Sequence, residues 1–252
     1  MGAAPEVVVH DSADVLAAQT ADRVVSVLGA AVEQAGEAHL AVTGGGILEQ
    51  VLTALAERAA SLSWRNVHVW WGDERYVPAD SDERNDVPAM RLLFDRVDVD
   101  AAKLHRMPSA DAGFGDDVDA AADSYAAELA RATDGAADGA VPAFDVVLLG
   151  VGPDGHCASL FPGHPGTRVL DASVIGVRNS PKPPPTRLSL TFPALDAAKQ
   201  VWFVASGSGK AEAVAKAVGG APREEVPSAG PRGRDRTLWL VDRDAATQLD
   251  GS

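Results

Sequence analysis

The chain carries one cysteine, Cys157, in 252 residues. An intrachain disulfide and a cysteine-built zinc site are therefore excluded, and the composition fits a reducing, cytoplasmic setting. Positive charge is also scarce: 22 lysines and arginines face 36 aspartates and glutamates, a formal net charge of −14. So acidic a surface argues against general binding to nucleic acid or anionic membranes. An anionic ligand would need positive groups gathered locally. The opening MGAAPEVVVHDSAD has no basic n-region and no long apolar stretch, so no signal peptide is expected. No apolar run approaches the roughly 20 residues of a membrane span. There is no internal repeat, no Walker A motif and no dinucleotide fingerprint, so nucleotide binding is poorly supported. The six histidines show no metal-ligand spacing, and no metal is assigned.

What is present is a hydrophobic content of 46%, enough for a real core in one large domain or two small ones. The Ala/Gly/Asp-rich stretch around 111–140 reads as a surface helix and loop rather than a linker, so residues 1–252 are taken as one domain. Val7–Val9 reads as a short strand, and Asp11 or Ser12 as the N-cap of a helix running to about Gln34. HLAVTGGG, ending in glycines, NVHVWWGDER, which runs straight into charge, FDVVLLGVG, RVLDASVIGV, QVWFVASG and TLWLVD read as further strands. ILEQVLTALAERAA, Arg84–Phe94, DDVDAAADSYAAELARA and SGKAEAVAKAV read as helices, and a short helix is expected at the C-terminus. TDGAADGAVP reads as a flexible loop. SPKPPPTR, with four prolines, is neither helix nor central strand. Apolar strands alternating with helices predict an α/β fold, a mostly parallel Rossmann-like sheet with helices on both faces.

In such sheets ligands bind beyond the carboxyl ends of the strands. Four strands here end in unusual residues: TGGG, GDER, GVGPDGH and SGSGK. Gly44, Gly45 and Gly46 let the backbone turn its N–H groups toward one point, and the following helix adds its positive end, which together suit a phosphate. Asp73, Glu74 and Arg75 follow two tryptophans and suggest a fixed polar cluster. Lys182 and Arg187 stand on a stiff segment, and an arginine fork grips phosphate well. Lys210 opens a helix, where a cation opposes the dipole and is better explained by a ligand. His156 follows a strand and a flexible turn with Asp154, in the right place for a general base, and imidazole titrates near neutrality. Cys157 as a nucleophile is conceivable, but sequence neighbours in a turn seldom aim their side chains at each other.

Taken together, TGGG, GDERYVP with the downstream SDERND, LLGVGPDGHCASLFPG, KPPPTRLSLT, SGSGKAEAV and VPSAG resemble the 6-phosphogluconolactonase family. They occur in the family's order from about residue 38 to 230. The resemblance implies the fold shared with glucosamine-6-phosphate deaminase and ribose-5-phosphate isomerase. It also implies hydrolysis of 6-phospho-D-glucono-1,5-lactone to 6-phospho-D-gluconate in the oxidative pentose phosphate pathway, without an organic cofactor. His156, Asp73 and Arg75 would carry the chemistry, with Gly44, Gly45, Gly46, Arg187 and Lys210 on the phosphate. Asp73 would orient the loop or the histidine, with Asp154 the weaker candidate for that role.

Two positions depart from the family. Thr43–Gly46 followed by Ile47 stands where a Ser-Gly-Gly-Ser-Thr-Pro-like loop is usual, so a phosphate-binding hydroxyl is missing while the backbone N–H groups remain. Cys157 stands where threonine is frequent, which weakens a nucleophilic role further. A related deaminase or isomerase would need carboxylates close after the histidine, and CASLFPGHPG has none. A non-catalytic sugar-phosphate sensor would need a basic helix-turn-helix, which the acidic chain lacks. The sequence does not fix the oligomeric state, and a monomer is compatible with it.

Overall fold

The computed structural model describes residues 5–133 and 140–249. Most of the TDGAADGAVP segment lies outside the described residues. The main sheet is built from β1 (Pro5–His10), β2 (Ala38–Val42), β3 (Val67–Trp71), β5 (Leu104–His105), β6 (Val146–Gly150), β9 (Gln200–Ala205) and β10 (Arg236–Asp242). Its order is β1-β10-β9-β6-β2-β3-β5, and all its pairings are parallel. The central strands are buried on both faces, as their unbroken apolar runs demand. Trp70, Trp71, Trp202 and Trp239 are fully buried in this core, and truncating any of them to alanine would remove about 3–5 kcal/mol.

Helix α1 (Ala13–Ala35) starts where Ser12 Oγ accepts from the Val15 amide, and ends at Gly36, whose φ of 85° few other residues tolerate. Its 23 residues are apolar enough to meet the length and composition of a membrane span, contrary to the sequence expectation. The buried positions nevertheless form a single, mostly apolar stripe, Leu16, Ala17, Thr20, Ala21, Val24, Leu28 and Ala31. The helix packs on β1, β2, β10 and on α2 (Gly46–Glu57).

A second, three-stranded antiparallel sheet was not legible in the sequence. It has the order β4-β8-β7, from β4 (Asp73–Arg75), β7 (Val174–Val177) and β8 (Arg187–Leu190). The apparent single strand NVHVWWGDER breaks at Gly72, where the chain changes sheets. The Gly72 N–H donates to Val42 O (2.8 Å) and its carbonyl accepts from the Leu190 N–H (2.8 Å). A Cβ there would sit 2.7 Å from Thr43 Cγ2. Arg187, at the end of the proline-rich stretch, begins the central strand of this sheet.

Two helix expectations also shift. The Arg84–Phe94 helix is shorter, α3 (Asp86–Leu92) followed by a 3-10 turn. The expected C-terminal helix is a series of turns over residues 243–248. Asp242 Oδ1 accepts from Ala245 N there (2.8 Å).

The chain runs β2, β3, β5 toward one edge, then returns to the other side of β2 and runs β6, β9, β10 toward the opposite edge. The strand order therefore reverses between β2 and β6. Only Leu40 and Ala41 of β2 pair with β6, and beyond them Thr43 bridges the two. Its Oγ1 donates to Leu148 O (3.2 Å) and accepts from Gly150 N (3.1 Å). The carboxyl ends open there into a crevice, the place where doubly wound sheets hold ligands.

Candidate active site

The crevice encloses about 560 Å³ and is lined by residues from all four singled-out strand ends. His156, Asp73, Arg75, Gly44, Gly45, Gly46, Arg187 and Lys210 all line it, together with Lys182, Asn85, Gln50 and Ser206.

His156 stands on the loop after β6. The loop folds back on itself: Gly152 N donates to His156 O (2.9 Å) and Gly155 N to Gly152 O (2.9 Å). Gly152 has to be glycine, because a Cβ there would lie 2.0 Å from His156 Nδ1 and 2.4 Å from Asp154 Oδ1. Gly155 adopts φ +85°, and its carbonyl accepts from Ser228 N (2.9 Å) in the VPSAG segment. The His156 ring leans on Phe161, with centroids 4.7 Å apart, and the Arg187 guanidinium covers the same Phe161 ring at 5.6 Å.

The carboxylate that touches the histidine is Asp154. Its Oδ1 lies 2.6 Å from His156 Nδ1 and 3.1 Å from Lys182 Nζ. Lys182 Nζ is also 3.1 Å from His156 Nδ1, a consequence of two donors sharing one oxygen. A carboxylate only accepts, so it holds the imidazole proton on Nδ1 and leaves the Nε2 lone pair free. Burial works to raise the Asp154 carboxyl, but the His156 hydrogen bond and the His156 and Lys182 charges hold it below its ordinary value.

Asp73, expected to orient the loop or the histidine, engages the loop. Its Oδ2 accepts from Ser159 Oγ (2.7 Å) and its Oδ1 from Asn85 Nδ2 (3.3 Å). It fastens the histidine loop to β4 and does not orient the ring. Asn85 also donates to Asp73 O (3.0 Å) and lies against the glycine turn, where a Cβ on Gly44 would meet its Oδ1 at 1.9 Å. Asn85 and Ser159 were inside the quoted motifs without being singled out. Each is a small polar residue in a charged or glycine-rich stretch, and only the folded chain shows what it touches.

The GDER and SDERND motifs form one scaffold. Buried Glu74 accepts from the backbone N–H groups of Arg75 (2.7 Å), Asn85 (2.6 Å) and Asp86 (2.9 Å). Burial and the neighbouring Asp86 push its carboxyl up to about 7 against the pull of Arg84. Arg84 in turn grips Asp86 with two bonds, 2.9 and 2.7 Å. Arg75 stands on this scaffold with Nη1 on Glu83 O (2.6 Å). Its Nη2 makes no hydrogen bond among the described residues.

The cations divide in the same way. Arg187 is buried, and its Nε and Nη2 hold the carbonyls of Lys182, Pro183 and Pro184 at 3.0–3.2 Å. It therefore shapes the proline-rich loop as well as facing the crevice. The Lys210 ammonium makes no hydrogen bond or ion pair among the described residues, and burial together with the Lys182 charge lowers its pKa. Gly45 (φ +130°) is the N-cap of α2, which has no side-chain cap, so its first N–H groups remain available. Cys157 is fully buried, and burial followed by the Asp73 charge raises its thiol above the ordinary range, which suits an inert packing residue.

The sequence pattern of the glucosamine-6-phosphate isomerases/6-phosphogluconolactonase family matches residues 11–239. A 6-phosphogluconolactonase of Streptomyces coelicolor is 47% identical, over 100% of this chain and 97% of its own. The structure of 6-phosphogluconolactonase from Trypanosoma cruzi superposes with a TM-score of 0.84 at 25% identity, covering 99% of this chain and 98% of its own. A monomeric glucosamine-6-phosphate deaminase superposes with a TM-score of 0.76 at 20% identity, covering 96% and 99%, a likeness of fold alone.

Proposed function

The chain belongs to the glucosamine-6-phosphate isomerase/6-phosphogluconolactonase family, and from that premise we infer that it hydrolyses 6-phospho-D-glucono-1,5-lactone to 6-phospho-D-gluconate in the pentose phosphate pathway. The observation that carries the reading is the Asp154–His156 pair at the crevice, 2.6 Å apart, within a cleft that also gathers Arg75, Lys182, Arg187 and Lys210.

The proposed reaction needs one base and good positioning. His156 Nε2 takes a proton from water as the water oxygen attacks the lactone carbonyl carbon. The resulting oxyanion is met by Arg75 or by loop N–H groups. The C–O bond to the ring oxygen then breaks, and that oxygen receives the proton from His156. Asp154 keeps Nδ1 protonated throughout and steadies the transient imidazolium. Lys210, the glycine turn and Arg187 hold the phosphate, so that binding energy remote from the carbonyl positions the ring. Lys182 joins them by fixing Asp154.

Among the crevice-lining residues Asp73 is the one carboxylate, and Ser159 and Asn85 already engage it. A deaminase or isomerase that shuttles protons between neighbouring carbons has little to work with here. The same reading takes the whole chain as one domain, acting in the cytoplasm, without organic cofactor, nucleic acid or membrane, and it leaves the oligomeric state open. The lone buried thiol and the packed apolar stripe of α1 support it. Product analysis tests it. With the phosphorylated lactone, 6-phosphogluconate is expected above the spontaneous rate, and with glucosamine 6-phosphate no ammonia. Ammonia release without lactone hydrolysis would overturn the reading.

A further inference from the structure

The amino ends of the sheet, opposite the crevice, carry a second cluster of chemistry. Parallel register sets His39 beside His68 and Trp70 beside His105. The rings form a ladder: His39 and His68 stack with centroids 4.6 Å apart, His68 and His105 at 5.2 Å. Glu37 hangs over the end of this ladder, half exposed, and the His39 and His68 side chains are 14% and 18% exposed. Solvent therefore reaches the cluster, although its rings are fixed.

The hydrogen bonds have a direction. Glu128 Oε1 lies 2.7 Å from His105 Nδ1, and a carboxylate accepts, so Nδ1 carries the proton. A neutral His105 then accepts at Nε2 from His68 Nδ1, 2.9 Å away. The neutral His68 is left with a bare lone pair on Nε2, and that atom faces Glu37 Oε2 at 3.3 Å. Two acceptors at that distance need a positive group between them. A separation of 3.3 Å is the edge of a tetrahedron whose metal–ligand bonds are about 2.0–2.1 Å. The relay from Glu128 through His105 also matches the outer hydrogen bonding that orients a metal-binding imidazole.

We propose that Glu37 and His68, with His39 as a third donor, form a binding site for a zinc-class divalent transition-metal ion at the amino ends of β2 and β3. Imidazole and carboxylate together suit such an ion. His39 Nε2 lies 3.7 Å from Glu37 Oε1, but its Nδ1 accepts from Trp70 Nε1 at 3.2 Å. It joins the ion only by releasing the indole, so His68 and Glu37 are the anchoring arms. Lys103 Nζ, 3.8 Å from Glu37 Oε2, competes with the ion for that carboxylate. The site lies four residues from Thr43 along β2, roughly 13 Å from the crevice, and stands apart from the lactone chemistry.

The test titrates the whole metal-free chain with Zn²⁺ against a chromophoric chelator. One equivalent is expected to bind, with affinity at least tenfold weaker in His68→Gln and in Glu37→Gln, and less affected in His39→Gln. Lactone hydrolysis at the parental rate in these variants reports that they are folded. Zinc X-ray absorption on the parental complex covers the case in which a variant fails to fold, and a nitrogen/oxygen shell with imidazole scattering is expected. No stoichiometric binding would mean that a proton alone closes the gap, and would overturn the site. Undiminished affinity in both arm variants, a His39→Gln loss larger than that of His68→Gln, or a shell without imidazole would overturn it equally.

Discussion

Lys210 shows how one residue can be read through its surroundings. It stands where a helix does not want a cation, and its ammonium makes no hydrogen bond or ion pair among the described residues and is half-buried beside Lys182. Burial and that neighbour lower its pKa, so the charge is lost on the alkaline side earlier than from an ordinary lysine. If it holds the phosphate, KM for the phosphorylated lactone should rise as pH climbs toward the normal lysine range, with kcat less affected. Lys210→Ala should raise KM tenfold or more at neutral pH and abolish that alkaline rise, since hydrogen bonds to charged groups contribute about 1.5–3 kcal/mol. Initial rates from pH 7 to 9.5, corrected for spontaneous opening, decide it. An unchanged KM in Lys210→Ala removes this residue from the phosphate site.

At the scale of elements, the loop after β6 is fitted closely to the side chains of His156 and Asp154. Gly152 supplies the space they occupy, so Gly152→Ala must push His156 and Asp154 apart or shift the loop. The strand beneath is unaffected, and the protein should fold with thermal stability near that of the parent. Its kcat should fall at least tenfold. Parental activity in a folded Gly152→Ala protein would show that the Asp154–His156 contact is dispensable. The same loop marks what the sequence could and could not tell. Strands β6, β9 and β10 were legible because burial on both faces demands unbroken apolar runs. Strands β4 and β8 were not, because DER and RLSL are short, partly charged and paired antiparallel, which no apolar run reports. The site's members were legible as unusual residues at strand ends. Their partners were not, since Asp73 meets Ser159 across 86 positions of chain. His39, His68 and His105 likewise have no ligand spacing in sequence, and become neighbours only through sheet register.

For the whole molecule, burial on both faces of a large sheet has a consequence for pH. Tyr125 and Cys157 are fully buried, and burial raises both above their ordinary values of 10.0 and 9.0. In the unfolded chain they ionise at those ordinary values, so the unfolded state releases protons first and stability falls as pH rises past 9. Each group contributes a slope of about 1.4 kcal/mol per pH unit beyond its unfolded pKa. Urea unfolding between pH 8 and 10.5 should therefore fall less steeply in Cys157→Ser than in the parent, and equal slopes would contradict the account. The fold brings four strand ends to one crevice, and the proposed chemistry of that crevice rests on His156. The most direct test is lactone hydrolysis by a His156→Ala protein shown to be folded, corrected for the spontaneous reaction. The account predicts kcat lower by about 10²–10⁴-fold, with KM within a few-fold because the phosphate contacts lie elsewhere. A folded His156→Ala enzyme that works within a few-fold of the parental rate would contradict it.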